Sequence, residues 1–276
     1  MNLPKKRRVS TGTAGRLITS AMAKLAVFIH GMWATPDVWR NWRPFFEARG
    51  WQTHAPALRH HDAPPTAPPA ALGTTSLLDY AADLEAAVRG LPDKPVVIGH
   101  SMGGLLALLL AARGLAQAGV LLTPAPPAEV LAIRASNLWA FARIQLNWGW
   151  WRKPHRATLG EALSHTFNTA GAEEGRERHA GFVHDSGRAL FEIALPWLDA
   201  RKAAAVDPRL VSVPLLFVAA GQDRLTPPSV VRRTAGRFPQ VSDYVEYPGQ
   251  GHWVLGQPGW ERIADDAAAW LDGKVS

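Results

Sequence analysis

Val96-Val97-Ile98-Gly99-His100-Ser101-Met102-Gly103-Gly104 is the stretch on which the fold turns. Its β-branched start reads as a buried strand, and the Leu/Ala run that follows, Met102 to about Ala112, reads as a helix apolar nearly all round. Between them lies G-x-S-x-G, in the strand-turn-helix setting that this motif requires. The turn forces the serine into a strained backbone conformation, and a side chain at Gly99 or Gly103 would clash where strand and helix approach each other. Ser101 is thereby presented at a helix N-terminus, where unpaired N–H groups and the helix dipole favour developing negative charge.

Outward from this point, short apolar runs alternate with helical patterns, the signature of parallel β-α-β units. Leu25 to Ile29 reads as a buried strand, followed by a loop from His30 to Asp37 and an amphipathic helix carrying Trp39, Trp42, Phe45 and Phe46. Gln52 to Leu58 reads as a second strand, a Pro-rich loop runs through Pro69, and a helix covers about Ser76 to Leu91. Gly119 to Leu122 is a further strand, after which Pro124-Ala125-Pro126-Pro127 stops the rhythm. Residues from about 128 to 205 show helical patterns without a buried strand. Alternation resumes with a strand at Leu215 to Ala219, a helix near Ser229 to Phe238, a strand at Asp243 to Tyr247 and a helix at Trp260 to Leu271. The expectation is an α/β protein with one mostly parallel sheet and helices on both faces. Residues 24–127 and 206–276 form its core, 128–205 a helical cap insertion, and 1–23 a basic flexible tail.

The chain's 276 residues, 47% of them hydrophobic, suffice for one large core with a small second layer. The absence of cysteine excludes disulfides, thiolate catalysis, zinc–cysteine sites and thiol-ligated iron–sulfur clusters. A formal charge of +7 raises the question of an anionic partner. Residues 1 to 24, however, hold six basic side chains (Lys5, Lys6, Arg7, Arg8, Arg16 and Lys24) and no acid, leaving 24 basic and 23 acidic groups for the rest. The body is nearly neutral. Lys5 to Arg8 has the form of a nucleic-acid or localisation patch, but its Ser, Thr and Gly neighbours suit a solvated tail, so no nucleic-acid partner is expected. Ala21-Met22-Ala23 resembles a signal cleavage site, yet the stretch before it is too polar for an apolar h-region, and a cytoplasmic protein is expected. The longest apolar run, Gly103 to Ala112, spans 10 residues, whereas a bilayer crossing needs about 20. No integral membrane association is expected.

A serine hydroxyl is a weak nucleophile and needs a base, which in turn needs an orienting acid. Of ten histidines, His30 and His100 sit in tight turns, where they support backbone geometry. His54, His60 and His61 surround the Pro-rich loop, and His155, His165, His179 and His184 lie in the insertion. His252 follows the last strand in the Gly-rich loop Pro248-Gly249-Gln250-Gly251-His252-Trp253 and is the favoured base. Asp223 ends Leu215-Leu216-Phe217-Val218-Ala219-Ala220-Gly221-Gln222-Asp223, in the loop after an intervening strand. It suits the acid, although Asp is also a common turn residue. The order Ser101, Asp223, His252 is the chain order expected after a G-x-S-x-G elbow.

These residues resemble the α/β-hydrolase superfamily, in particular its cap-bearing serine esterase and lysophospholipase-like branch. The resemblance covers about residues 24 to 272. It rests on Phe28-Ile29-His30-Gly31-Met32-Trp33, the Gly-His-Ser-Met-Gly elbow, the Gly221-Gln222-Asp223 turn and Gly251-His252. It implies an oxyanion hole formed by the backbone N–H groups of Met32 and Met102, which needs no polar side chain, and a sheet of about six core strands. It also implies a cofactor-independent Ser-His-Asp hydrolase working through an acyl-enzyme, with a small apolar ester as substrate. Haloalkane dehalogenases and epoxide hydrolases of the same fold use a carboxylate nucleophile, which Ser101 does not supply.

Trp33 and Trp253, next to the expected oxyanion and base residues, are candidate pocket walls. His60 is a candidate for the rim and Trp139 a candidate wall from the insertion. Trp139, Trp148, Trp150 and Trp151 interleave with Arg143, Arg152, Lys153 and Arg156. Such a pattern packs a cap helix onto a core, and it also suits contact with a lipid interface. His60-His61-Asp62 lacks the spaced partners of a metal site, and none is expected. Thioester, lactone, amide and C–C bond cleavage stay within reach of the same triad, and a non-catalytic ligand-binding protein on this scaffold is the remaining alternative.

Overall fold

In a computed structural model of the chain, described over residues 24–131 and 141–275, eight strands alternate with helices. The basic segment 1–23, Trp139 and residue 276 lie outside the described residues. The strands are β1 (Lys24–Ile29), β2 (Trp51–His54), β3 (Val96–His100), β4 (Gly119–Leu122), β5 (Pro154–His155), β6 (Asp185–Ser186), β7 (Leu215–Ala220) and β8 (Ser242–Tyr247). Six form one sheet in the order β2-β1-β3-β4-β7-β8, with every neighbouring pair parallel. The register sets Val27 beside Val97, Ile98 beside Val120 and Phe217 beside Tyr244. Full burial of β1, β3, β4 and β7, apart from Lys24, explains why they read as continuous apolar runs rather than alternating ones.

The longer helices are α1 (Trp42–Glu47), α2 (Leu77–Arg89), α3 (Met102–Ala112), α4 (Ala172–Ala180), α5 (Gly187–Ala194), α6 (Pro228–Ala235) and α7 (Trp260–Asp272). Ser76 caps α2, with Asp79 completing a capping box. Helix α3 is buried along all but its last residue, as expected for a helix apolar all round. Two cores result, one on each face of the sheet. Leu105, Leu109 and Phe238 belong to one; Phe28, Trp39, Trp42 and Phe46 pack in the other, where Trp42 and Phe46 stack with ring centroids 6.0 Å apart.

Two sequence expectations are corrected. Strand β2 ends at His54, not Leu58: Pro56 has no N–H to offer a ladder, and the Leu58 amide instead donates to His30 Nε2 at 3.1 Å. The chain between β4 and β7 also contains strand structure, because β5 and β6 pair antiparallel, Pro154 with Ser186 and His155 with Asp185. These strands have two residues each, mostly polar and buried, so no apolar run announces them. The tryptophan stripe divides: Trp150 is buried against Phe191, while Trp148 is 86% exposed.

Candidate active site

Strand order reverses between β1 and β3. The loops leaving their carboxyl ends therefore part in opposite directions and open a crevice, the usual ligand site of an open parallel sheet. Ser101 sits at the end of β3 with φ +56° and ψ −121°. Its neighbours enforce this strain: a Cβ on Gly99 would run into the Gly103 carbonyl, and one on Gly103 into the Ile29 carbonyl. The Ser101 amide donates to Leu122 O at 3.0 Å and its carbonyl accepts from Gly104 and Ala125, each at 2.9 Å.

The loop after β7 folds back on Asp223. Oδ1 accepts the Leu225 and Thr226 amides at 2.7 and 2.9 Å, and Oδ2 lies 2.8 Å from both Thr226 Oγ1 and His252 Nδ1. Burial would push the carboxyl pKa up, but His252 and the Thr226 bonds outweigh it and hold Asp223 below the ordinary carboxylate range. With Nδ1 engaged, Nε2 is the imidazole nitrogen left to exchange a proton. His100 holds the His252 backbone from behind, donating Nε2–H to the His252 carbonyl at 2.9 Å. Burial, reinforced by the neighbouring His252, lowers the His100 pKa to about 3, so it stays neutral. His30 is likewise buried with its pKa lowered to about 3, donating to Gly31 O and accepting from Leu58 N. Both histidines therefore play the backbone-supporting part expected of them.

Ser101 and His252 border one cavity of about 310 Å³, together with Met32, Met102, Trp33 and Trp253. The rest of its wall is mainly apolar and comes largely from the chain between β4 and β7, including Val130, Phe141, Leu190 and Ile193. Neither the Met32 nor the Met102 amide makes a hydrogen bond among the described residues. His60 does not line the cavity. It takes a left-handed turn conformation, φ +69°, and the next residue, His61, is the one that turns inward, with Nδ1 2.8 Å from Ala34 O.

Thr226, beside the Asp223 carboxylate, and Asp185, behind the turn after β1, are two polar residues that the sequence analysis did not single out. Asp223 accepts the amide two residues on, Leu225, as in an Asx turn, and Thr226 comes next, so a local signal was available. Asp185 is fully buried and accepts the Trp33 amide at 3.0 Å across 152 residues of chain; no local pattern encodes such a contact.

Solved structures of several esterases and lipases share the fold. A pyrethroid hydrolase from Sphingobium faniae JZ-2 superposes with a TM-score of 0.67 at 19% identity, over 90% of this chain and 97% of its own. A monoacylglycerol lipase from Paleococcus ferrophilus gives 0.65 at 19% identity, over 90% and 93%. A tomato methylketone synthase, complexed with 2-tridecanone, gives 0.67 at 16% identity, over 92% and 100%. No curated protein matches the sequence. The model of the alpha/beta hydrolase family, in contrast, matches residues 26–265, nearly the whole described chain, and the chain belongs to that family.

Proposed function

We propose that the protein is a serine hydrolase that cleaves carboxylic esters of fairly apolar substrates through Ser101, His252 and Asp223. The observation that carries this reading is the 2.8 Å contact from His252 Nδ1 to a buried, acceptor-saturated Asp223, at the edge of the apolar cavity that Ser101 borders. His252 Nε2 removes the Ser101 proton as Oγ attacks the ester carbonyl. The Met32 and Met102 amides hold the oxyanion, and the imidazolium then protonates the leaving alcohol. Water, activated by the same imidazole, releases the acid from the acyl-enzyme and restores Ser101.

Residues 128–205 serve as the cap in this reading, closing apolar side chains such as Leu190 and Ile193 over the acyl chain. Apart from the reacting groups, few polar side chains face the cavity, Gln145, Thr166 and Thr226 among them. That composition suits a hydrocarbon-rich substrate. The 2-tridecanone bound by the tomato neighbour and the monoacylglycerol named for the Paleococcus ferrophilus lipase are of the same apolar kind.

Hydrolysis of aryl acetates, butyrates and octanoates by wild type and Ser101→Ala tests the proposal. Turnover by wild type and its loss in the variant are expected; equal turnover by both sinks the mechanism. A fluorophosphonate probe separates the non-catalytic alternative, since a binding protein with an inert serine takes no label. Thioesters, lactones and amides in the same panel define the bond preferred.

A further inference from the structure

Trp33 directly follows the Met32 amide and holds a backbone conformation that bulky side chains avoid, with φ at +62°. Such a conformation persists only where its surroundings over-determine it. Here the chain between β4 and β7 does so, by binding every polar group that Trp33 possesses. The amide donates to Asp185 Oδ2 at 3.0 Å, the carbonyl accepts from Val183 N at 2.8 Å, and the indole N–H donates to His155 Nδ1 at 3.2 Å.

Asp185 anchors this arrangement. Its Oδ1 accepts from Ser186 N at 2.6 Å and from Tyr80 Oη at 3.1 Å, and His61 Nε2 lies 3.5 Å from Oδ2. His61 Nδ1 lies 2.8 Å from Ala34 O, so the carboxylate grips one side of the turn directly and the other through His61. A buried carboxylate is costly unless fully paired; two of its partners, the Trp33 amide and His61, hold the turn after β1, and Tyr80 Oη and Ser186 N satisfy the rest of it. Asp185 does not border the cavity, which leaves it no part in the proton transfers of ester cleavage.

We infer that Asp185 is a positioning residue: by locking Trp33 in its left-handed conformation it aims the Met32 amide at the reacting carbonyl, so that the oxyanion site is complete only when the insertion is docked. The inference rests on the serine-hydrolase reading above. It differs from simple anchoring of the insertion, for which Glu192 provides the contrast. Glu192 is buried on α5, accepts from Ser76 Oγ and Leu77 N at 2.8 Å and from Arg188 Nε at 2.7 Å, and touches no part of the turn after β1.

Asp185→Asn is the direct variant, because both carboxylate oxygens already receive donors and an amide NH2 would face one whichever way it turned. Full-length wild type, Asp185→Asn, Glu192→Gln, Trp33→Gly and the Asp185→Asn/Trp33→Gly double variant are compared on an aryl acetate, well below their melting temperatures. The readouts are kcat, KM, and inhibition by a trifluoromethyl ketone, whose bound oxyanion needs the same donors.

Asp185→Asn should lower kcat by roughly 10- to 100-fold, less than the about 10²- to 10³-fold lost when an oxyanion donor is removed outright, because the Met32 amide is misaimed rather than deleted. Its KM should stay within about threefold and its ketone inhibition weaken in parallel with kcat. Glu192→Gln should melt earlier with kcat nearly unchanged. In the Trp33→Gly background the Asp185→Asn loss should shrink to about threefold or less, because glycine adopts the left-handed conformation unaided. An Asp185→Asn loss no greater than that of Glu192→Gln, or one undiminished in the glycine background, overturns the inference. If Asp185→Asn does not fold, Tyr80→Phe decides: a fall in kcat at constant KM supports the role, and an unchanged kcat overturns it. Wild type that neither hydrolyses any ester nor takes a fluorophosphonate refutes the hydrolase reading itself, a result distinct from an active wild type indifferent to Asp185.

Discussion

Asp223 Oδ2 lies 2.8 Å from His252 Nδ1 across 29 residues of chain, and both side chains are buried. The contact fixes the imidazole tautomer, and in the proposed mechanism it would stabilise positive charge once Nε2 has taken a proton. Asp223→Asn keeps an acceptor for the Leu225 and Thr226 amides, so the loop should fold, but its NH2 group would favour the opposite tautomer. A kcat loss of about 10³- to 10⁴-fold with KM little changed is expected. Steady-state kinetics on an aryl ester, with near-UV circular dichroism to verify folding, checks it; a loss under tenfold would remove Asp223 from the proposed triad.

Close approach at the elbow yields a second expectation. Gly99→Ala drives a methyl group into the Gly103 carbonyl in the first turn of α3, and Gly103→Ala drives one into the Ile29 carbonyl at the end of β1; neither carbonyl can move without shifting its element. Losses of about 3 kcal/mol or more follow, at the upper end for single substitutions. Each kcal/mol lowers the melting temperature by roughly 2–4 °C at this chain size. Gly160→Ala is the control, since nothing lies within 4 Å of its Cβ position and its φ is not left-handed. It should be neutral or stabilise by up to about 1 kcal/mol.

The contrast between Gly99 and Asp185 explains how much of the protein was legible in its sequence. The elbow could be read because its constraints are local: strand, glycine, serine and helix lie within nine consecutive residues. The same holds for the sheet, whose buried strands are uninterrupted apolar runs, and for Asp223 and His252, each in the loop that ends a strand. Asp185 and His61 could not be read, because a buried charge is made tolerable by partners distant in sequence. His60 was the more plausible pocket residue only while the turn that rotates it away was unknown. Strands β5 and β6 escaped for a related reason: two polar residues carry no periodicity.

Anchoring of the insertion gives a third expectation. Glu192→Ala leaves Ser76 Oγ, Leu77 N and Arg188 Nε without their acceptor in a buried setting. A cost of about 1–3 kcal/mol is expected for the buried donors left without an acceptor, since Arg188 keeps Asp199 as its partner. Urea unfolding measures it; a loss below about 1 kcal/mol would mean that solvent reaches this contact.

Cavity shape gives a fourth. Ile193, half-buried on α5, borders the cavity in which Ser101 sits. Ile193→Trp should shorten the acyl chain that fits, lowering kcat/KM for an octanoate by about tenfold or more relative to an acetate. Each displaced methylene of an apolar pocket is worth about 1–3 kcal/mol. Equal effects on both esters would place the acyl chain elsewhere in the cavity.

Acid sensitivity follows from the two histidines at the heart of the site. His30 and His100 have folded-state pKa values lowered to about 3, chiefly by burial, against about 6.5 in an unfolded chain. Between these values the unfolded chain binds more protons than the folded one. The stability they confer is therefore complete above about pH 6.5 and is lost as pH falls, at up to about 1.4 kcal/mol per pH unit for each histidine. His61 acts in the opposite sense, since burial opposes its charge but Asp185 outweighs that and raises its pKa; its contribution is present below about pH 6.5 and lost on raising pH through the folded value. Because His61 titrates above that window, the slope in acid is set by the groups with lowered values, His30, His100 and also His155, which burial lowers to about 4. His100→Gln retains a donor for the His252 carbonyl but does not titrate, so it should reduce the slope of unfolding free energy against pH by about 1.4 kcal/mol per unit between pH 6 and pH 4. Urea midpoints measured across that interval for both proteins provide the test, and parallel slopes would mean that His100 does not carry the acid transition.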